Sequence, residues 1–278
     1  MVSLALRRAQ SLYNKSEMRA RLYLFVVLGA FCVLGGARAA SAWTPSMQVT
    51  IAREASRLAP GDLFRQIEKH RRIYEEAATA PFSDTDPGRH MKNADGSGQL
   101  DRVILEEVAR AIALIQAHQP FEEVVRQLGI VSHYVADANN PLATSGADDE
   151  EAKYFIDFLR YAEKTEPKFP LVFYGVRPGL ENRADVSPLL AETFRRGHEL
   201  YPLVGREYRR IGFASGIGRF DDRSTAFGTA SLSFSHAVTD VALVLRYIWI
   251  RAGGVDDRAN LPAGGTRLVI VPRAGSAR

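Results

Sequence analysis

Residues 128–142 read LGIVSHYVADANNPL, and this stretch decides the reading of the whole chain. It closes a helix expected over 120–137, which Pro120 opens at its first turn with Glu122 and Glu123 near the favourable N-terminal end. Asn139-Asn140-Pro141 then stops it. Inside the helix, His133 and Asp137 are four residues apart, so they share one face, one turn from each other. That geometry lets an imidazole nitrogen and a carboxylate oxygen converge on a cation. The pattern SHYVAD at 132–137 has a near twin, SHAVTD at 235–240, which sets His236 and Asp240 at the same spacing. A plain His-to-Asp hydrogen bond accounts for either pair alone. Two pairs on apolar helices about a hundred residues apart point further, because an unpartnered buried Asp is expensive. A shared site inside a helical bundle would use both.

Outward from this stretch the periodicity is helical nearly throughout. Helices are expected over 47–58, 63–78, 99–118, 148–162, 187–210 and 230–251, the fifth with an irregularity at Pro202. Segment 169–176 reads as a short extended piece or a packed loop. With so few strand signals the fold class is all-α. Residues 81–98 (PFSDTDPGRHMKNADGSG) form a long polar loop carrying Asp84, Asp86 and His90, and loops of this length in compact domains are usually functional. Segment 252–278 reads as a loosely attached tail. His70 lies among basic residues and His198 has Pro202 as its i+4 neighbour, so both read as structural. Phe173 and Tyr174 read as packing. Gly216 and Gly218 make no dinucleotide fingerprint, because Asp221 stands where the third glycine belongs.

The beginning of the chain reads as a secretory leader. Arg19 and Arg21 precede a short apolar run over 22–36, and Ala40-Ser41-Ala42 fits an A-x-A cleavage site. Three segments follow: a signal peptide at 1–42, a helical domain at 43–251 and the tail. The leader holds the single cysteine, six of the 36 basic residues and one of the 32 acidic ones, so the mature chain carries about −1. The basic balance of the full chain therefore says nothing about nucleic acid. Without disulfides, an exported domain relies on its core, on metal, or on both. With no cysteine left, imidazole and carboxylate ligands suit zinc best, manganese and iron being compatible too. Cleavage would leave Trp43 first, and a free α-amine together with the Trp43 carbonyl can chelate a metal.

These features resemble the zinc-dependent phospholipase C family, which shares its fold with fungal and plant single-strand-specific zinc nucleases. The resemblance runs from Trp43 to about Trp249. It rests on the mature N-terminal Trp, a loop with Asp followed by His, the late HxxxD helix and, most specifically, the pattern G-x-x-x-H-Y-x-x-D-x-x-x-P. Gly129, His133, Tyr134, Asp137 and Pro141 fall on that pattern. The resemblance implies a single-domain multi-helix bundle with a metal cleft that holds up to three zinc ions. Asp86 (or Asp84), His90, His133 and Asp137 would hold the first. Asp137 would bridge to a second, chelated by Trp43, and His236 and Asp240 would serve the third. Asp137 and Asp86 would then stand nearest the reaction.

The chain also departs from the family's pattern. A His expected ten residues beyond His133 is Ala143, and a His that the nuclease-like members carry five residues after the Trp is Gln48. Only the first site keeps a full ligand set, so one zinc is expected unless Asp148, Asp149 or Glu150 replaces a lost ligand. The implied function is an exported zinc-dependent phosphoric ester hydrolase using metal-activated water, acting in a periplasm or outside the cell. The alternative is a non-catalytic member that keeps one structural metal as a binding or structural protein. A phosphoester substrate would be a lipid, with peripheral membrane contact, or a small molecule rather than single-stranded nucleic acid, since the neutral mature charge offers no basic track. No feature indicates a protein partner.

Overall fold

The computed structural model describes residues 42–144, 148–256 and 269–271. The leader expected at 1–42 lies outside these, apart from Ala42. Among the described residues the chain forms eight α-helices: α1 (Pro45–Ser56), α2 (Gly61–Lys69), α3 (Arg71–Thr79), α4 (Leu100–Gln116), α5 (Phe121–Ala138), α6 (Phe155–Thr165), α7 (Ser187–Arg210) and α8 (Thr225–Arg251). The fold is all-α, as the periodicity requires. No helix among the described residues is long and apolar enough to cross a membrane.

Among the described helices, α5 is packed by α1, α3, α4 and α8. From Val131 to Ala138 every side chain is buried, so this stretch has no solvent face. Gly129 explains part of this packing: a Cβ there would stand 2.5 Å from the Tyr74 carbonyl oxygen, so a larger residue would push α3 off α5. Helix α8 starts at Thr225 rather than near 230, because the Ser224 hydroxyl accepts the Phe227 N–H at 3.1 Å and caps it. Helix α7 runs through Pro202 without a break.

The expected helix over 63–78 is two helices. His70 leaves the helical region (φ −114°, ψ 29°), and the chain turns between Ile67 and Tyr74, both of which stay in the core. The expected helix over 148–162 likewise begins as a turn. The Asp148 carboxylate accepts from Glu150 N–H and the Tyr154 hydroxyl, both at 2.9 Å, and α6 starts only after Tyr154. Segment 169–176 contains a strand, β1 (Val172–Phe173), antiparallel to β2 (Val269–Ile270). Of the expected tail over 252–278, only 252–256 and 269–271 are described, and Val269–Ile270 pair with β1. Arg246 also holds Asp256 at 2.7 Å, and Trp249 Nε1 donates to the Val255 carbonyl at 3.0 Å.

The polar loop over 81–98 is built rather than slack. Two 3-10 turns, Ala80–Ser83 and Pro87–His90, fold it back on itself. Gln99 N–H donates to Gly88 O at 2.7 Å, and Lys92 N–H to Ala143 O at 2.8 Å. The loop is thereby fixed to the turn Pro141–Ala143 that follows α5, and His90 is carried inward to 2% exposure.

Candidate metal centre

His90, His133 and Asp137 converge. One ligand atom from each lies within 4.8 Å of the others, and all three side chains are buried. Asp137 Oδ2 is 2.7 Å from His90 Nδ1 and 3.2 Å from His133 Nε2, and the two ring nitrogens are 3.3 Å apart. The other nitrogen of His133, Nδ1, lies 2.8 Å from the Ala78 carbonyl oxygen. A carbonyl only accepts, so the proton sits on Nδ1 and the Nε2 lone pair faces the Asp137 carboxylate. A proton on His90 Nδ1, or a metal ion held among the three atoms, would satisfy both acceptors. This carbonyl-anchored imidazole is the support that metal-ligating histidines receive. The donor set therefore fits a divalent metal of the zinc type.

Charge around the centre follows from its burial. Burial pushes the Asp137 carboxyl up, but His133 and His90 outweigh it and hold it below the ordinary carboxylate range. Burial pushes His90 down, but the hydrogen bond and charge of Asp137, aided by Asp84, carry it above the usual imidazole value. Asp84 Oδ2 stands 3.4 Å from His90 Nε2. It accepts from the Tyr134 hydroxyl at 2.5 Å and from Arg89 Nε at 2.9 Å, which outweigh burial and keep its carboxyl low.

Asp86 is not part of the convergence. It is exposed, and its carboxylate accepts from Gly88 N–H at 2.8 Å and Gln99 Nε2 at 2.9 Å, capping the turn that carries His90. In D-T-D-P-G the residue before Pro-Gly takes the capping position, which leaves Asp84 to face the histidines.

Trp43 is buried, with its indole N–H on the Ala136 carbonyl at 2.8 Å. The Ala42 backbone N–H donates to Asp137 Oδ1 at 3.2 Å, and Asn140 Nδ2 donates to the Ala42 carbonyl. Gln48 Nε2 donates to the same Oδ1 at 2.7 Å. On this side of Asp137, two N–H donors stand where the resemblance implies a second metal.

The second HxxxD pair has a different partner. Asp240 Oδ2 accepts from Arg196 Nη2 at 2.5 Å and from the Thr193 hydroxyl at 2.7 Å, while His236 stacks on Tyr174 with ring centroids 4.0 Å apart. Burial, then the Arg196 charge, pushes His236 down to about 4. Ala143 is buried in the turn after α5 and offers no ligand atom. Of the substitutes considered, Asp148 and Glu150 are engaged by Arg209 at 2.5 and 2.9 Å. Arg196 is the residue that sequence reasoning passed over. Its one sequence signal was position: it sits four residues after Glu192 on a helix that must cross α8.

The fold and this centre define the class: an all-α protein with a buried His-His-Asp cluster of metal-binding geometry. No protein-family model and no curated protein matches the chain. Among solved structures, the crystal structure of Clostridium perfringens alpha-toxin isolated from avian strain SWCP superposes with a TM-score of 0.49 at 12% identity, over 80% of this chain and 67% of that one.

Proposed function

We propose that this chain is an exported zinc-binding protein related in fold to the phospholipase C-like helical proteins, in which His90, His133 and Asp137 hold one structural zinc. The observation that carries this reading is burial: His133 and Asp137 are 0% exposed and His90 2%, at the junction of α5 with the polar loop. Structural zinc sites are closed, whereas catalytic ones keep an accessible position. Zinc here would stabilise the fold by neutralising a buried carboxylate and satisfying the His133 lone pair. It would also fasten the loop over 81–98, which otherwise carries several charged side chains beside the core.

A second reading, a zinc-dependent phosphoric ester hydrolase, is favoured by one specific feature. Ala42 covers Asp137 through its backbone N–H, and removal of the leader would withdraw that cover. Three protein donors leave a tetrahedral position free, and zinc with a free position acidifies water and polarises a phosphoryl oxygen. The Trp43 amine created by cleavage would then lie close to Asp137. The substrate would be a lipid or small phosphoester met outside the cytoplasm, with peripheral membrane contact in the lipid case.

The two readings part in one experiment on the processed protein beginning at Trp43. Zinc content, melting temperature and hydrolysis of bis(p-nitrophenyl) phosphate are measured before and after chelation. The structural reading expects one zinc, a Tm lowered by about 10 °C on chelation, and no hydrolysis above background. Zinc-dependent hydrolysis that disappears in His133→Ala would establish the second reading in its place.

A further inference from the structure

Asp240 is 2% exposed and needs a cation. It has one in Arg196, whose Nη2 lies 2.5 Å from Oδ2 while its Nη1 lies 3.2 Å from Glu192 Oε1. Arg177 holds the other Glu192 oxygen at 2.6 Å. The two arginines and two carboxylates form a balanced chain along a cavity of about 480 Å³, lined by His236, Tyr174 and Thr239 as well. Three side chains of ligand type, His236, Asp240 and Glu192, border this cavity. With the guanidinium bonded to both carboxylates, they do not close to metal-binding distance, unlike His90, His133 and Asp137.

We propose that Arg196 is a built-in cation that stands in place of a metal at the His236–Asp240 pair and keeps metal out. A guanidinium is charged at every accessible pH and grips carboxylates through a fixed fork of donors. A divalent ion beside it would meet a like charge at short range in a partly buried site, and would have to break two charge-assisted hydrogen bonds to reach the carboxylates. Asp240 on α8 instead holds Arg196 on α7, and His236 stacks on Tyr174. This assignment does not depend on whether His90, His133 and Asp137 take up zinc.

The test is zinc content by native mass spectrometry at saturating zinc, for the processed wild type, Arg196→Ala, Arg196→Ala with Asp240→Asn, and His236→Ala. Arg196→Ala is expected to hold one zinc more than the wild type, and the added Asp240→Asn change to remove it again. His236→Ala in the wild-type background is expected to leave the count unchanged. Equal counts in Arg196→Ala and wild type would overturn the proposal, and so would loss of a zinc in His236→Ala, which remains decisive if Arg196→Ala does not fold. His133→Ala scores the other centre separately, so failure at one is not failure at the other.

Discussion

The segments SHYVAD on α5 and SHAVTD on α8 differ at two of six positions, yet the structure puts them to opposite uses. On α5 the carboxylate of Asp137 faces two imidazoles. On α8 the carboxylate of Asp240 faces a guanidinium, and its histidine is turned to an aromatic ring. The spacing is therefore only permission: it brings a nitrogen and an oxygen to one helix face. What arrives from other elements decides the outcome. For Asp137 the arriving group is His90, carried in by a loop fastened to Ala143. For Asp240 it is Arg196, from α7 packed against α8.

The comparison breaks most sharply at His133. Truncation to Ala removes a proposed zinc ligand and leaves a cavity beside Asp137, a loss of about 3–5 kcal/mol. Urea unfolding in the presence of zinc should show it. An equal effect after chelation would mean that no metal is involved. Next in size, Arg196→Met strips the cation from Asp240 and should cost about 3 kcal/mol in chelator, part of it restored by zinc. Gly129→Ala probes the packing of α5 on α3, which sets the Ala78 carbonyl against His133. Its methyl would meet the Tyr74 carbonyl, so a loss of about 2 kcal/mol is expected without any change in zinc content.

The smallest expected effect is acid sensitivity at His236. Its pKa falls from the ordinary 6.5 to about 4 in the folded chain, so the unfolded chain takes up the proton first as pH drops. The contribution of a neutral His236 is complete above pH 6.5 and is lost as pH falls toward 4. Its titration is set among Arg196, Asp240, Glu192 and Arg177. His90, whose pKa is raised, contributes in the opposite sense. The effect is therefore read as the difference between wild type and His236→Gln, whose melting curves should converge as pH falls from 6.5 to 4. Parallel curves would contradict it.

Much of the fold was legible because burial imposes periodicity. Helices α4, α5 and α7 lie within a residue or two of their expected bounds, since each has an amphipathic or fully apolar run between clear stops. The break at His70 was not legible: no Gly or Pro marks it, and only packing turns the chain there. The convergence was legible where its residues share a helix, as His133 and Asp137 do, and less so across the loop. Asp84 and Asp86 look alike in sequence, and the choice between them rests on Asp86 being drawn into a cap by Pro87-Gly88. Arg196 was out of reach because an exposed-looking Arg195-Arg196 pair does not disclose which arginine turns inward. Gln48 was read only as a missing histidine, whereas its amide N–H donates to Asp137.

The central claim is that the two similar pairs differ in kind, one a metal centre and the other an internal salt bridge. Zinc counted per chain by mass spectrometry, in processed wild type, His133→Ala and Asp240→Asn, tests it most directly. The account predicts one zinc in the wild type, none in His133→Ala and one in Asp240→Asn. No zinc in the wild type, or a zinc lost with Asp240 and kept without His133, would contradict it.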